Sequence, residues 1–291
     1  MSASSLVAII VSGLTLGSIY ALVSSGLSLM WSTLQVFNFG HGALLALGAY
    51  LGWTLSQRIG NLALAIVIVL PLMFVISIFY QFCCIRPFIR RPQGDLLVMV
   101  STLAAGTLIA NVIQLFWGPA SKSLPSIAEG VIRFGGASIG GNQAAIIVIA
   151  PVVMLATVVF LKYTRVGLAI RAVEQNREYA RLLSIKPETV YLTVIGLAAM
   201  LAGLAGMLLG ATQFIAPTMG NGPLLRAFAV VVFGGLATVQ GTVYAAYLIG
   251  MLEAISTYFL GLFWTPVLIL GVIVLVMVVR PEGLVARRAR T

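Results

Sequence analysis

Apolar runs of membrane-spanning length dominate this chain and constrain its fold more than any motif does. A helix rising about 1.5 Å per residue needs roughly 20 apolar residues to cross a hydrocarbon core about 30 Å thick. Eight runs are candidates: residues 6–31, 42–55, 62–85, 96–117, 144–161, 191–216, 227–258 and 260–279. The second is short, and the seventh is interrupted by Gly234, Gly235 and Gly241. With 60% hydrophobic residues and 8% charged ones, the chain lacks the polar residues to build a water-facing surface. The expected fold is all-α: a polytopic transmembrane helical bundle of about eight spans, some broken or re-entrant, in a single domain over residues 1–291.

The charges sit in the connectors, and their sign orients the spans. Arg86, Arg90 and Arg91 face only Asp95 in the segment 86–95. The segment 118–143 holds Lys122 and Arg133 against Glu129. The loop 162–190 holds Lys162, Arg165, Arg171, Arg177, Arg181 and Lys186 against Glu174, Glu178 and Glu188, and the tail holds Arg280, Arg287, Arg288 and Arg290 against Glu282. Basic loops face the cytoplasm, so the first, third and fourth segments are expected inside and the second outside. The net charge of +10 therefore reads as loop asymmetry and not as a nucleic-acid surface.

Both ends are less defined. Residues 1–57 carry no charge and give no orientation; the first run is too long for a signal peptide and lacks its basic start, so a retained helix is expected. Residues 227–279 span about 80 Å as helix, short of the roughly 90 Å that three full crossings need. If 217–226 lies outside and the tail inside, one pass there must be short or broken.

Several chemistries are excluded. Cys83 and Cys84 are adjacent in an apolar run and match no metal spacing, and a single histidine, His41, rules out two-histidine metal motifs. No Gly-Lys dipeptide exists, so the phosphate-cradling G-K-[ST] loop is absent and any ATP must be hydrolysed by another chain.

Three stretches depart from plain lipid-facing helix. Asn38, Phe39, Gly40, His41 and Gly42 place two glycines, an amide and the only imidazole between two uncharged runs. Such residues suit either an interfacial turn or a broken helix on a transport path. The stretch 164–185 reads as a short amphipathic helix of mixed charge, with Arg171–Glu174 and Glu178–Arg181 at i,i+3 and Lys186-Pro187 ending it. Its acids favour a cytoplasmic protein partner over a lipid surface. The third, 226–253, is rich in small residues and carries Arg226 and Glu253; Glu253 reads either as a membrane-depth functional acid or as a wet interfacial one. A faint internal duplication accompanies these: Gly26 precedes Asn38, Gly40 and Gly42 much as Gly210 precedes Gly220, Asn221 and Gly222.

These residues carry a resemblance. Thr15 to Leu22 (T-L-G-S-I-Y-A-L), Gly26-Leu27, N-F-G-H-G at 38–42 and G-A-Y at 48–50 resemble the opening signature of the permease subunits of bacterial ABC importers for branched-chain amino acids, of the LivH-like kind. Gly167, Ala169, Arg171, Ala172, Asn176 and Ala180 are similar to that family's cytoplasmic pattern, and 226–235, Gly241, Glu253 and R-P-x-G-L at 280–284 continue it. The chain departs from the family at Gly40, Ala43 and Ser184, where alanine, an acid and glycine are usual, and in its Gly234-Gly235-Leu236-Ala237-Thr238 block.

The resemblance implies a non-catalytic, multi-pass permease in the bacterial inner membrane. It would pair with a second permease subunit, homologous or a second copy, with two cytoplasmic ATPases that use ATP and Mg, and with a periplasmic or lipid-anchored binding protein. No cofactor or metal would be held by this chain. Residues 171–185 would be the coupling helix, with Arg171, Glu174, Asn176, Arg177, Glu178, Ala180 and Arg181 toward the ATPase. Asn38, Phe39, Gly40, His41, Gly42, Arg226 and Glu253 would border the translocation pathway. Phe37, Phe39, Phe214, Met219 and Phe228 would make that lining mostly apolar, which suits a hydrophobic amino acid first, then urea, short amides or small aromatic and aliphatic carboxylates. An ion-coupled transporter or channel is the rival class; it usually needs more buried carboxylates than Glu253 alone.

Overall fold

The computed structural model describes residues 3–134, 137–235 and 239–279. Six of its helices are long and apolar enough to cross a membrane. The order is α1 (Ala3–Leu34), α2 (His41–Ile59), α3 (Leu62–Tyr80) with a π-helical turn at Gln81–Ile85, and α4 (Gly94–Trp117). A hairpin of β1 (Val131–Phe134) and β2 (Ala137–Gly140) follows, pairing Val131 with Gly140. Then come α5 (Gly141–Tyr163), α6 (Arg165–Gln175), α7 (Arg177–Leu182), α8 (Pro187–Gly210), α9 (Asn221–Gly234) and α10 (Val239–Val279). The charged tail and Leu236, Ala237 and Thr238 of the glycine block lie outside the described residues.

Contacts fix the depth of each turn. His41 reaches the carbonyl of Val23, eleven residues and about 16 Å up α1 from its cytoplasmic end. The Thr102 side chain receives the Phe39 N–H; it stands eight residues, about 12 Å, into α4. The turn 38–42 therefore lies near mid-membrane, and α2 runs from there to the outer surface. It is longer than the sequence run implied, ending at Ile59 with Gly60 as a left-handed cap (φ 74°).

The second echo sits against the first. Gly220 packs on Gly42, so tightly that a Cβ at Gly42 would stand 2.6 Å from the Gly220 carbonyl oxygen. Gly40 (φ −76°, ψ −4°) and Gly220 (φ −77°, ψ −14°) cap α2 and α9 with nearly the same backbone. Yet α9 runs the opposite way: its Phe228 meets Phe37 and Phe39, and Phe37 stacks on Trp31 near the cytoplasmic end of α1. The arrangement is an inverted repeat, α1–turn–α2 against α8–turn–α9, as in transporters whose halves have opposite topology. Gly26 finds its spatial counterpart in Gly206, which packs on Leu45; both stand fourteen residues before the capping glycines.

The short pass expected near the C-terminus is thus α9, fourteen residues and about 21 Å long. Beyond it, α10 packs antiparallel to α1 and breaks at Gly261 (φ 79°, ψ 169°). The hydroxyls of Thr257 and Thr265 lie 3.2 Å apart where a straight helix would separate them by about 12 Å, so the chain folds back there.

Lipid tails are as apolar as leucine, so helices in a bilayer associate through close packing and not through escape from water. Small residues provide that closeness. A Cβ at Gly13 or Gly17 would stand 2.9 Å from the Cα of Met251 or Tyr247, which locks α1 onto α10. Gly48 likewise faces Gly203 between α2 and α8. As a result α1 and α8 form the buried centre, while α4, α5 and the outer part of α10 expose most of their apolar faces.

Candidate functional site

Asn38 organises the mid-membrane turn. Its side-chain oxygen accepts from the Gly40 N–H (3.0 Å) and the Tyr80 hydroxyl (2.6 Å). Asn38, Gly40, His41 and Gly42 are buried against Tyr80, Thr102 and Gly220; Phe39 alone is partly exposed. The stretch is a tightly packed turn between helices. The expected aromatic lining also divides: Phe37, Phe39 and Phe228 cluster with Trp31 on the cytoplasmic side of the turn, whereas Phe214 is exposed near the outer end of α8.

Arg226 and Glu253 do come together. Glu253 is 5% exposed, fourteen residues into α10, so it is not an interfacial acid. The Arg226 guanidinium donates from Nε to both carboxylate oxygens (3.0 and 3.1 Å), and its Nη2 lies 3.0 Å from Oε1. The Tyr20 hydroxyl donates to Oε2 at 2.7 Å. A desolvated carboxylate is tolerable only when paired and hydrogen-bonded in this way. The triad floors a cavity of 440 Å³ toward the outer half of the bundle. Ile9, Leu16, Leu209 and Ala254 form its apolar walls; Ser12, Gln213 and Thr257 supply polar groups. Tyr20 lies within the T-L-G-S-I-Y-A-L stretch, but nothing local marks its acid, 233 positions away, as its partner.

The cytoplasmic stretch is two helices and not the single one expected. Asn176 adopts extended backbone (φ −161°, ψ 118°), and its side chain caps α7 by accepting from the Glu178 and Tyr179 N–H groups. Neither i,i+3 charge pair forms an ion pair among the described residues. Arg171 donates to the Lys162 carbonyl, and Glu174 accepts from Ser32 (2.5 Å) and Thr33 at the end of α1. Arg177 donates to the carbonyls of Thr33 and Leu34, and Ala180 is buried. Burial raises the Glu174 carboxyl above its ordinary range; the hydroxyls of Ser32 and Thr33 and the charge of Arg171 oppose this.

Glu174 and Arg177 therefore fasten the stretch to α1, and Glu178 and Arg181 stay exposed. The outward surface of α7 is instead apolar: Tyr179, Leu182 and Leu183 are 68%, 78% and 73% exposed. Ser184 follows in left-handed backbone (φ 61°), at the position where the resembled family has glycine.

Comparison with known proteins follows the same lines. The family described as the branched-chain amino acid transport system permease component matches residues 9–278. The high-affinity branched-chain amino acid permease LivH of Escherichia coli K12 is 30% identical over 94% of each chain. BraD of Pseudomonas aeruginosa, a permease of the same type, is 26% identical over 96% of this chain and 95% of its own. The ribose import permease RbsC of Escherichia coli K12 is 28% identical over 62% of this chain and 61% of its own.

Proposed function

The chain belongs to the branched-chain amino acid transport system permease family, and from that membership we propose how its parts divide the work of import. It is a multi-pass inner-membrane protein, the permease subunit of an ABC importer for branched-chain amino acids. The outer cavity receives the substrate; the apolar walls take its side chain, and Arg226 and Glu253 meet its carboxylate and ammonium. The buried bidentate pair beneath an apolar cavity carries this reading, because it offers a zwitterion both charges at a depth where a single charge would be costly.

The chain itself performs no bond chemistry. Two cytoplasmic ATPases, using ATP and Mg, drive the cycle through α6 and α7, and a second permease subunit completes the path. A periplasmic or lipid-anchored protein delivers the substrate. The attachment of Glu174 and Arg177 to the end of α1 supports the coupling role: a push on α7 passes directly to the central helix, whose far half borders the cavity. The packed turn 38–42 is the hinge at which the two inverted halves rock.

The test is uptake by the complex reconstituted in vesicles. Leucine and valine should compete with labelled leucine; phenylalanine should compete more weakly; urea, benzoate and ribose should not. Competition by ribose or urea without leucine uptake overturns the substrate class. Import that persists without ATP and follows an ion gradient overturns the transporter class.

A further inference from the structure

A second cavity, of 340 Å³, opens at the cytoplasmic ends of α3, α7 and α8, separate from the outer cavity. Its charge is unbalanced. Arg86, Arg90, Arg177 and Arg181 line it, and Lys186 lines a neighbouring cavity that shares Arg90, Arg181 and Glu188 with it. Among the described residues Glu188 is the one acid in the lining, and Arg86 and Arg90 both reach it. Among the described residues Arg181 and Lys186 have no acidic partner.

The floor is apolar and belongs to the spans. Phe82 lies under Arg86, with the guanidinium 4.9 Å from the ring centre, and Tyr191 lies under Arg177 at 5.5 Å. Tyr191 stands one turn, about 6 Å, above the start of α8, which is roughly the thickness of one headgroup layer. Phe79 and Phe82 continue from the cavity as exposed rings along the lipid face.

We propose that this cavity binds the phosphate of an anionic phospholipid headgroup from the cytoplasmic leaflet. Basic pockets between spans on the cytoplasmic side recognise such headgroups, and guanidinium forks match phosphate oxygens. A lipid is favoured over a free phosphate by the phenylalanine track, which an acyl chain can follow and a free ion does not need. It is favoured over the ATPase because the floor lies at membrane depth and the outward apolar residues of α7 are not part of the lining. A lipid held there bridges α3 and α8 to the segment that carries the coupling motion.

The experiment is native mass spectrometry of the whole complex, delipidated and then exposed to phosphatidylglycerol, phosphatidylcholine or inorganic phosphate. Phosphatidylglycerol should be retained over phosphatidylcholine, and excess phosphate should not displace it. Arg90→Ala should weaken retention roughly fivefold, as expected for one cation at the membrane surface, while Arg86 still reaches Glu188. Lys186→Gln, which breaks no ion pair among the described residues, should act in the same direction. Equal retention of both lipids, or displacement by phosphate alone, overturns the proposal. So does loss of ATPase co-purification in Arg90→Ala with lipid retention unchanged, which would give the cavity to the partner.

Discussion

Glu253 is held by three donors from two other helices, and its removal leaves Arg226 buried and unpaired. Breaking a buried pair costs about 3–5 kcal/mol, and the partial exposure of Arg226 (29%) puts the effect toward the lower end. Glu253→Gln should lower the melting temperature of the solubilised complex and abolish leucine uptake. The Arg226→Met, Glu253→Met double variant should recover much of the stability without the uptake. A thermal midpoint unchanged in the single variant would mean that the pair is not buried. Glu174 behaves differently because its burial disfavours the charged form. Its native pKa is raised, so the folded state holds the proton longer than the unfolded chain. The stability it contributes is present below the ordinary value of 4.5 and is lost as pH rises above it. Melting temperatures of the wild type should therefore fall relative to Glu174→Gln as pH climbs from about 4 to 8; a constant difference across that range would contradict the assignment.

At the scale of elements, the capped break at Asn176 separates two tasks. α6 and the first turn of α7 tie down to α1, and the rest of α7 presents Tyr179, Leu182 and Leu183. Burying one leucine is worth about 2 kcal/mol, or roughly thirtyfold in affinity. Leu182→Ser and Leu183→Ser should each weaken ATPase co-purification by about that factor, with membrane insertion unchanged. Glu178→Arg should have a smaller, salt-dependent effect. If the leucine variants retain the ATPase fully and only Glu178→Arg loses it, docking is electrostatic and not apolar.

Across the whole molecule, contacts of α1 with the basic stretch predict the orientation that the uncharged N-terminus left open. The end of α1 meets the basic stretch 165–182, so the positive-inside rule predicts the first turn of α1, Arg58 and Glu129 on the outer face. With Cys83 and Cys84 replaced by serine, single cysteines at 58 and 129 should react with an impermeant maleimide added to intact cells. Cysteines at 90 and 183 should react only after the membrane is opened. The reverse pattern would invert the topology and with it the side on which the cavity opens.

The residues by themselves determined the all-α membrane class, because hydropathy acts locally against a bilayer of fixed thickness; of the eight runs read there, six helices are long and apolar enough to span among the described residues, and the run 227–258 is divided between α9 and α10. The resemblance rested on motifs equally local. Tertiary structure alone decided what those motifs touch. It made the 38–42 stretch a packed turn, because Gly42 and Gly220 can meet only when two distant turns reach one depth. It also turned Glu253 from an acid of two possible meanings into the centre of a triad. The exposed apolar patch of α7 was hidden from the sequence for the same reason. Helical periodicity reports that residues share a face, not whether that face meets the bundle, and Leu182 and Leu183 turn away from it.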